Sequence, residues 1–266
     1  IFINRWKDSR TLEKSFSALS ALCSDTLSIE NDLADRDYID LLDIDIFEII
    51  DQKIIAELID KVVNNTINAG EVSKHIHKRT SKHYYKKYKD HYKAIESAAE
   101  LLLLIDNADL KVKSFEEGVE LYSSKWYSID QFYRKYIFHL QNSLNPSLMK
   151  DLTELVENFY SNKYLLELNN QWQSSVNALN HWGDPSVSMQ RDFFTDYVKP
   201  FLDNNKKICV IISDALRYEV GSELVTKINN SDRFSSTISP AVSMLPSYTQ
   251  LGMAALLPNN DLEIVN

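Results

Sequence analysis

The sequence predicts a mostly α-helical domain followed by the beginning of an α/β domain. Glycine and proline are scarce, at five and six among 266 residues, which favours helices over a turn-rich β-architecture. Apolar residues recur at three- and four-residue spacing through most of the chain, as they do in amphipathic helices. A continuous apolar run from Ile208 to Ile212 is instead typical of a buried parallel strand.

The helical part carries three apolar stripes, each predicting one long helix. Asn145-Pro146 separates the second from the third, because the residue before proline avoids helical geometry, so these two helices are expected to form an antiparallel hairpin. Gly183 and Pro185 end the third helix, which places a domain boundary near residue 185 and predicts domains 1–185 and 186–266. The stripes are Phe47, Ile50, Ile54, Leu58 and Val62; Trp126, Ile129, Tyr133, Tyr136, Ile137 and Leu140; and Leu152, Leu155, Val156, Phe159, Trp172, Val176 and Leu179.

After residue 185 the pattern becomes that of an incomplete α/β domain. Two strands are predicted, and a sheet of two strands cannot close a core without neighbours. The first residue is Ile1 and no leader precedes the first periodic segment, so we expect a piece of a longer protein. The predicted elements are a helix over 191–198 ended by Pro200, strands over 208–212 and 234–238, a crossover helix over 215–228 and a short helix over 250–257.

Composition narrows the function classes. The formal net charge of −9 argues against nucleic-acid binding by the bulk surface, because neutralising phosphates needs a concentrated positive face. No stretch approaches the roughly eighteen consecutive apolar residues of a membrane span, so no membrane partner is expected. Two cysteines far apart in sequence, Cys23 and Cys209, make a disulfide framework improbable and fit a cytoplasmic protein.

One local basic segment, Lys74 to Lys93, carries eight Lys or Arg residues against the single acid Asp90. Basic residues interleaved with tyrosines suit a nucleic-acid or acidic-partner surface. Alternatively, Tyr85, Tyr88 and Tyr92 continue into an apolar helical stripe, and the lysines merely solvate the opposite face. The second interpretation is favoured.

The candidate site combines a carboxylate with a hydroxyl-rich turn. Asp214 ends the first predicted strand, and a right-handed crossover would bring the exit turn of the next strand, with Ser243, Ser247 and Thr249, to the same edge. A carboxylate there can bind a metal ion, although Asp214 could also cap the helix that follows it. Thr249 is best placed as nucleophile or metal contact; Ser247 could be a helix N-cap and Ser243 an ordinary loop residue.

Two strings resemble the opening motifs of the PglZ domain family of type 1 BREX phage-defence systems. They are Val210-Ile-Ile-Ser-Asp-Ala-Leu-Arg-Tyr-Glu219 and Leu245-Pro-Ser-Tyr-Thr-Gln-Leu-Gly-Met-Ala-Ala-Leu-Leu-Pro258, within the last sixty or so residues. The family is related to the alkaline-phosphatase superfamily. The resemblance implies an alkaline-phosphatase-like α/β domain and a phosphatase or phosphodiesterase that uses paired divalent metal ions, with zinc as the expected ion.

The resemblance further implies Asp214 as a metal ligand, a nucleophile within the segment 246–249 that contains Thr249, and remaining ligands outside this chain. The fragment alone is therefore expected to be inactive. The expected partners are other BREX components, with DNA or a nucleotide as substrate. The alternative function is a non-catalytic interaction module, in which the helical domain docks other defence components or nucleic acid.

Overall fold

The computed structural model describes residues 2–7, 9, 11–259 and 262, and it is mostly helical. The last residues of the predicted second domain, 260, 261 and 263–266, lie outside the described residues. The α-helices are α1 Phe2–Lys7, α2 Glu13–Thr26, α3 Ile29–Ala34, α4 Tyr38–Leu41, α5 Glu48–Val63, α6 Ala69–Arg79, α7 Tyr85–Asp106, α8 Phe115–Leu121, α9 Tyr127–Asn142, α10 Lys150–Asn158, α11 Leu166–Asn177, α12 Lys199–Asp203, α13 Tyr218–Asn229 and α14 Thr249–Ala255.

Tighter and wider helical turns connect several of these helices. Two 3₁₀ turns span Pro146–Met149 and Gln190–Asp192, and three π-helical segments span Tyr122–Trp126, Phe159–Leu165 and Phe194–Val198. Proline at the first position of a helical turn has no N–H to lose, so Pro146 begins its turn without cost and separates α9 from α10, as predicted.

Side-chain caps fix where several helices begin. Asn68 and Glu71 form a reciprocal capping box at the start of α6, in which Asn68 Oδ1 accepts from the Glu71 main-chain N–H at 2.9 Å. Ser114 Oγ accepts from the Glu117 N–H at 3.1 Å at the start of α8. These side chains satisfy N–H groups that the first turn of each helix leaves without an intrahelical partner.

The chain divides into two compact units that do not follow the order of the sequence. The first unit comprises residues 1–108 and 132–164, and the second comprises residues 109–131 and 165–266. These units reflect packing within this chain, so the domain boundary near residue 185, predicted from the sequence pattern, stays a prediction.

The core of the first unit is built from α5, α6 and α7. Ile50, Ile54, Leu58 and Val62 of the predicted α5 stripe are buried, as predicted. Within the same unit α9 and α10 pack as the predicted antiparallel pair: the Tyr136 and Thr153 hydroxyls are 2.7 Å apart and the rings of Tyr133 and Tyr160 stack at 3.7 Å. Burial, together with the hydrogen bond that the Tyr133 hydroxyl donates to Glu157, raises the pKa of Tyr133 to about 12.

The basic segment from Lys74 to Lys93 is partly buried in this core. Tyr88 and Tyr92 are buried, which confirms the helical stripe. Arg79 is fully buried and pairs with Asp51, at 2.6 Å between Arg79 Nη2 and Asp51 Oδ2. Lys82, Lys87 and Lys93 pair with Asp43, Glu48 and Glu96. The concentrated positive face that phosphate binding requires is therefore much reduced.

The two predicted strands are not formed among the described residues, where the sole β-pairing is an isolated parallel bridge between Met189 and Val242. Residues 206–213 and 234–240 lack regular secondary structure, and the Ile211 side chain is 87% exposed instead of buried. The physical reason is that a strand is stabilised by its neighbours, and within the part of the chain that the structure describes no adjacent strand reaches this segment. The helical fold class is thus confirmed, whereas the α/β continuation is not.

Two helix predictions also need correction. The helix expected from residue 215 begins three residues later, at Tyr218, because Ala215 adopts a left-handed backbone conformation with φ of 53° that cannot continue into a right-handed helix. Pro200 does not end a helix: it lies in the first turn of α12, where its missing N–H is tolerated. Among the described residues, no helix is both long and apolar enough to cross a membrane.

Candidate functional site

Asp214 lies in the loop between the apolar run and α13. Its Oδ1 accepts from the N–H of Ala215 at 3.0 Å, and the side chain is exposed. The N-cap position of α13 is occupied by Arg217, which makes no side-chain cap bond. The alternative in which Asp214 caps the helix is therefore wrong, and its carboxylate is held at the turn itself.

The hydroxyl-rich turn leads directly into α14. This helix begins at Thr249, and its N-cap residue is Tyr248, which makes no side-chain cap bond. The suggested N-cap role of Ser247 is therefore wrong as well. The main chain of Ser243 is held by a hydrogen bond, in which its carbonyl oxygen accepts from Trp182 Nε1 at 2.8 Å.

Contacts with residues 188–190 hold the hydroxyl-rich turn in place. The Val242 N–H donates to the Ser188 carbonyl, and the Gln190 N–H donates to the Val242 carbonyl, each at 2.9 Å. The Gln190 side chain adds a longer contact, in which its Oε1 accepts from the Met244 N–H at 3.5 Å. The turn is thus fixed on its N-terminal side by main-chain pairing, while the hydroxyls follow on its C-terminal side.

Asp214 and Thr249 line the same cavity, which has a volume of about 450 Å³ and which we call the Asp214 cavity. Ser243 and Ser247 line it too, so the structure brings all four predicted polar residues to one place. Their chemical roles stay predictions. The geometry leaves Ser247 and Thr249 both available, and position alone does not select between these hydroxyls.

Two further residues of the Asp214 cavity escaped sequence reasoning as site residues, Gln190 and Arg217. Arg217 Nη2 lies 3.2 Å from Glu219 Oε1, and the Glu219 side chain is fully buried. This ion pair with a buried carboxylate positions a largely exposed guanidinium at a cavity that also contains the Asp214 carboxylate. The signal that could have found Arg217 is its place in the same short loop as Asp214.

The side chains of the Asp214 cavity supply part of the ligand set that a metal ion needs. Carboxylate and hydroxyl oxygens are suitable ligands for divalent ions, and Asp214 and Thr249 supply one of each. However, the described part of the chain contains no group of three or more His, Cys, Asp or Glu side chains that could hold a metal ion. Asp214 and Thr249 fit part of a metal site, and further ligands would have to come from elsewhere.

The part of the chain that contains Asp214 and Thr249 is similar to a known protein family. Residues 193–266 match the BREX system PglZ alkaline phosphatase-like domain. Over 174 residues the chain is 39% identical to the alkaline phosphatase-like protein BrxZ of Escherichia coli O9:H4 (strain HS), a match that covers 62% of this chain and 20% of that protein. Over 139 residues it is 37% identical to the alkaline phosphatase-like protein PglZ of Bacillus cereus (strain H3081.97), covering 52% of this chain and 16% of that protein.

The chain thus spans a fifth or less of the length of these curated relatives. No solved structure matches it. The resemblance to PglZ proteins of BREX systems is confirmed. Asp214 and Thr249 lie within the matched residues 193–266, whereas Gln190 of the same cavity precedes them.

Proposed function

We propose that this chain supplies the first residues of a metal-dependent phosphatase or phosphodiesterase site in a longer BREX protein. The observation that carries the proposal is the meeting of Asp214 and Thr249 at one cavity within the matched alkaline phosphatase-like domain. The helix starts support the proposal, because the N-cap residues of α13 and α14 are Arg217 and Tyr248. Asp214 and Ser247 are therefore not needed to begin a helix.

Each residue has a role that its chemistry suits. Asp214 would hold a divalent ion, with zinc as the expected one, through a hard carboxylate oxygen. Bound divalent ions lower the pKa of an adjacent hydroxyl and stabilise charge on phosphoryl oxygens. Thr249 would bring its hydroxyl as nucleophile or metal contact, and Arg217 would bind a phosphate oxygen through its planar guanidinium.

The chain alone is expected to be inactive towards phosphate esters, even with added Zn²⁺ or Mg²⁺. One carboxylate and a few hydroxyls do not hold two ions in the geometry that in-line displacement requires. The measurement is hydrolysis of p-nitrophenyl phosphate and of its bis ester by the purified chain. Turnover that EDTA abolishes would contradict the expectation.

The decisive experiment uses the full-length protein. Asp214→Asn keeps the shape of the side chain but removes its charge, so bound metal should fall by at least about one ion per chain, together with activity. Thr249→Ala removes a single hydroxyl and should reduce kcat by about 10³-fold or more if Thr249 is the nucleophile, with metal content and fold retained.

Matched variants test which hydroxyl is the nucleophile. Thr249→Ser should restore part of the activity lost in Thr249→Ala, because a hydroxyl is returned at the same position. Ser247→Ala is the control, expected to change activity little. If Ser247→Ala abolished activity while Thr249→Ala kept it, the nucleophile would be Ser247; if both variants kept activity, the catalytic role of the turn would be wrong.

The interaction-module alternative makes a different prediction for the same variants. A scaffold would keep its BREX partners and its defence activity in Asp214→Asn and Thr249→Ala, whereas an enzyme would keep its partners and lose defence. The pairing of Lys82, Lys87 and Lys93 with carboxylates and the burial of Arg79 do not favour nucleic acid as the scaffold's ligand. Within the enzymatic proposal, the substrate is DNA or a nucleotide, and the partners are other BREX components.

A further inference from the structure

The second unit contains an apolar pocket that shares no lining residue with the Asp214 cavity. Its volume is about 290 Å³, at the lower end of the range of small-molecule sites and suited to a ligand of one or two rings. Four of its lining side chains are aromatic, and most of the others are aliphatic. We call it the aromatic pocket. Its aromatic side chains are Tyr122, Trp126, Trp172 and Tyr218.

A π-helical turn brings two of these rings to the pocket. Tyr122 and Trp126 are the first and last residues of the π-helical segment between α8 and α9, and the wide turn lets both side chains reach the pocket. Turns of this kind are rare and often lie at functional sites. The Tyr122 hydroxyl donates to Asp130 Oδ2 at 2.6 Å, which holds its ring in place.

The Trp172 ring is fixed by its neighbours before any ligand binds. On one side it packs against the Phe115 ring, with the ring centres 4.8 Å apart. At Gly118 it lies so close to the main chain of α8 that a Cβ atom there would come within 2.5 Å of Trp172 Cζ3. A wall that is already ordered reduces the entropy that ligand binding costs.

Two polar side chains adjoin this apolar lining. Tyr218 is half-buried and Asn169 is exposed, and within the described residues neither the Tyr218 hydroxyl nor the Asn169 side-chain amide forms a hydrogen bond. Burial raises the pKa of Tyr218, so its hydroxyl stays protonated at neutral pH and can both donate and accept. These two groups can bind a polar substituent of a ligand whose body lies against the rings.

The lining disfavours a charged ligand. Among the described residues that line the aromatic pocket, none has a charged side chain. An anion or a cation would lose its hydration here without gaining a counter-charge. Ring–ring contacts in offset or edge-to-face geometry add to the gain from apolar burial, so an aromatic body is favoured over a saturated one of similar shape.

We propose that the aromatic pocket binds a small uncharged ligand with an aromatic body of one or two rings and a hydroxyl or amide substituent. Trp126 and Trp172 contact the body, and Tyr218 and Asn169 bind the substituent. The inference does not rest on the proposed phosphatase function.

The test uses the full-length protein and two uncharged probes that share a carbon skeleton, 2-naphthol and its saturated match decahydro-2-naphthol. Ligand-observed NMR titration should give a dissociation constant on the order of 1 mM for 2-naphthol, as expected for a ligand of its size. Decahydro-2-naphthol should bind at least about threefold more weakly, because it keeps the hydroxyl and the apolar surface but loses the ring–ring contacts.

Two charged probes test the absence of a counter-charge. The anion 2-naphthoate and the cation tetramethylammonium should each bind at least about tenfold more weakly than 2-naphthol. Failure of 2-naphthol to bind would overturn the proposal. Equal binding of the saturated probe or of either charged probe would overturn it as well, the cation by indicating a site that recognises ammonium groups through its rings.

Two variants locate the binding. Ala241→Trp, at an exposed lining residue, fills the pocket with a ring of the protein's own and should abolish 2-naphthol binding with the fold retained. Ala178→Trp, at an exposed alanine of the same unit outside the pocket, is the matched control and should bind as the wild type does.

Tyr218→Leu removes one ring and its hydroxyl, so the preference for 2-naphthol over decahydro-2-naphthol should shrink. A purely structural disturbance would weaken both probes alike, which makes the ratio of the two dissociation constants the informative measurement. Unchanged 2-naphthol binding in Ala241→Trp, or an unchanged ratio in Tyr218→Leu, would contradict the assignment.

Discussion

The core of α5, α6 and α7 and the apolar run at residues 208–212 are both rich in aliphatic residues, yet the first is buried and the second is largely exposed. Leu58 of α5 is fully buried, whereas Ile211 of the apolar run is 87% exposed. The helices satisfy their main-chain groups internally and need only one covered face. The run, patterned as a strand, requires a partner on each side for its main chain and covering layers for its side chains.

The contrast shows that apolar content is not sufficient for burial. Even charged groups are buried in the first unit where their partners lie within it. Arg79 Nη1 donates to the carbonyl oxygens of Leu42 at 3.0 Å and Ile44 at 2.7 Å, and Tyr92 donates to Asp51 Oδ1 at 2.6 Å. Burial together with Asp51 raises the pKa of Tyr92, so its hydroxyl stays a donor. Completeness of partners, more than hydrophobicity, decides what is buried.

The strongest way to break this contrast is to remove a partner from the buried network. Arg79→Ala leaves the carboxylate of Asp51 buried without its cation, and should lower the free energy of unfolding by about 3–5 kcal/mol. Urea denaturation followed by circular dichroism measures the change.

The matched control is Lys150→Ala, which breaks the exposed pair between Lys150 and Glu154 and should cost no more than about 0.5 kcal/mol. The double variant Arg79→Met, Asp51→Leu should recover part of the loss, because it removes both charges together but leaves the Tyr92 hydroxyl and the Leu42 and Ile44 carbonyl oxygens without these partners. If Arg79→Ala cost as little as Lys150→Ala, the buried pair would not hold the core.

A second pair of variants compares the two regions directly. Leu58→Ala in the core should lower the free energy of unfolding by about 2–5 kcal/mol. Ile211→Ala in the exposed run should stay within about 0.5 kcal/mol of the wild type.

The same Ile211→Ala change sharpens the comparison when it is made in the full-length protein. If residues beyond this chain complete a sheet around the run, the substitution should there become as destabilising as a core substitution. A large effect of Ile211→Ala in the chain alone would show that the run is already packed.

Much of the helical fold could be predicted from the sequence, because helical periodicity is local. The α5 stripe and the tyrosine stripe of α7 needed only residues a few positions apart. The burial of Arg79 could not be predicted, since its partner Asp51 lies on another helix and charged residues are ordinarily exposed. The strand predicted over 208–212 is not formed among the described residues, because a strand depends on neighbouring strands that its own sequence does not supply.

The candidate site, like the fold, could be predicted only in part from the sequence. The convergence of Asp214 and Thr249 was predicted from the chain's route between them, and both line one cavity. The means of convergence differ, since main-chain pairing of Val242 with Ser188 and Gln190 holds the turn where a second strand was expected. Sequence spacing could not reveal that pairing, which joins residues more than fifty positions apart.

The smallest predicted effect concerns the pH dependence of the first unit. Asp45 is largely buried, and burial by itself raises the pKa of its carboxyl. The hydrogen bond from Lys7, at 2.6 Å, and the N–H of His83 outweigh that cost and hold the pKa of Asp45 below its ordinary value. The charged form is therefore favoured more in the folded chain than in the unfolded one.

The direction of this pH effect follows from the linkage between protonation and folding. A carboxyl whose pKa is lower when folded stabilises fully above its unfolded pKa of about 3.9, and the contribution is lost as pH falls through the folded pKa. Asp45→Asn should therefore lower stability at pH 7 and matter progressively less below about pH 4. Urea denaturation of both proteins from pH 7 to pH 2.5 measures the difference, with the exposed carboxylate variant Asp43→Asn as control. A difference that grew towards low pH would mean that burial, and not Lys7, dominates at Asp45.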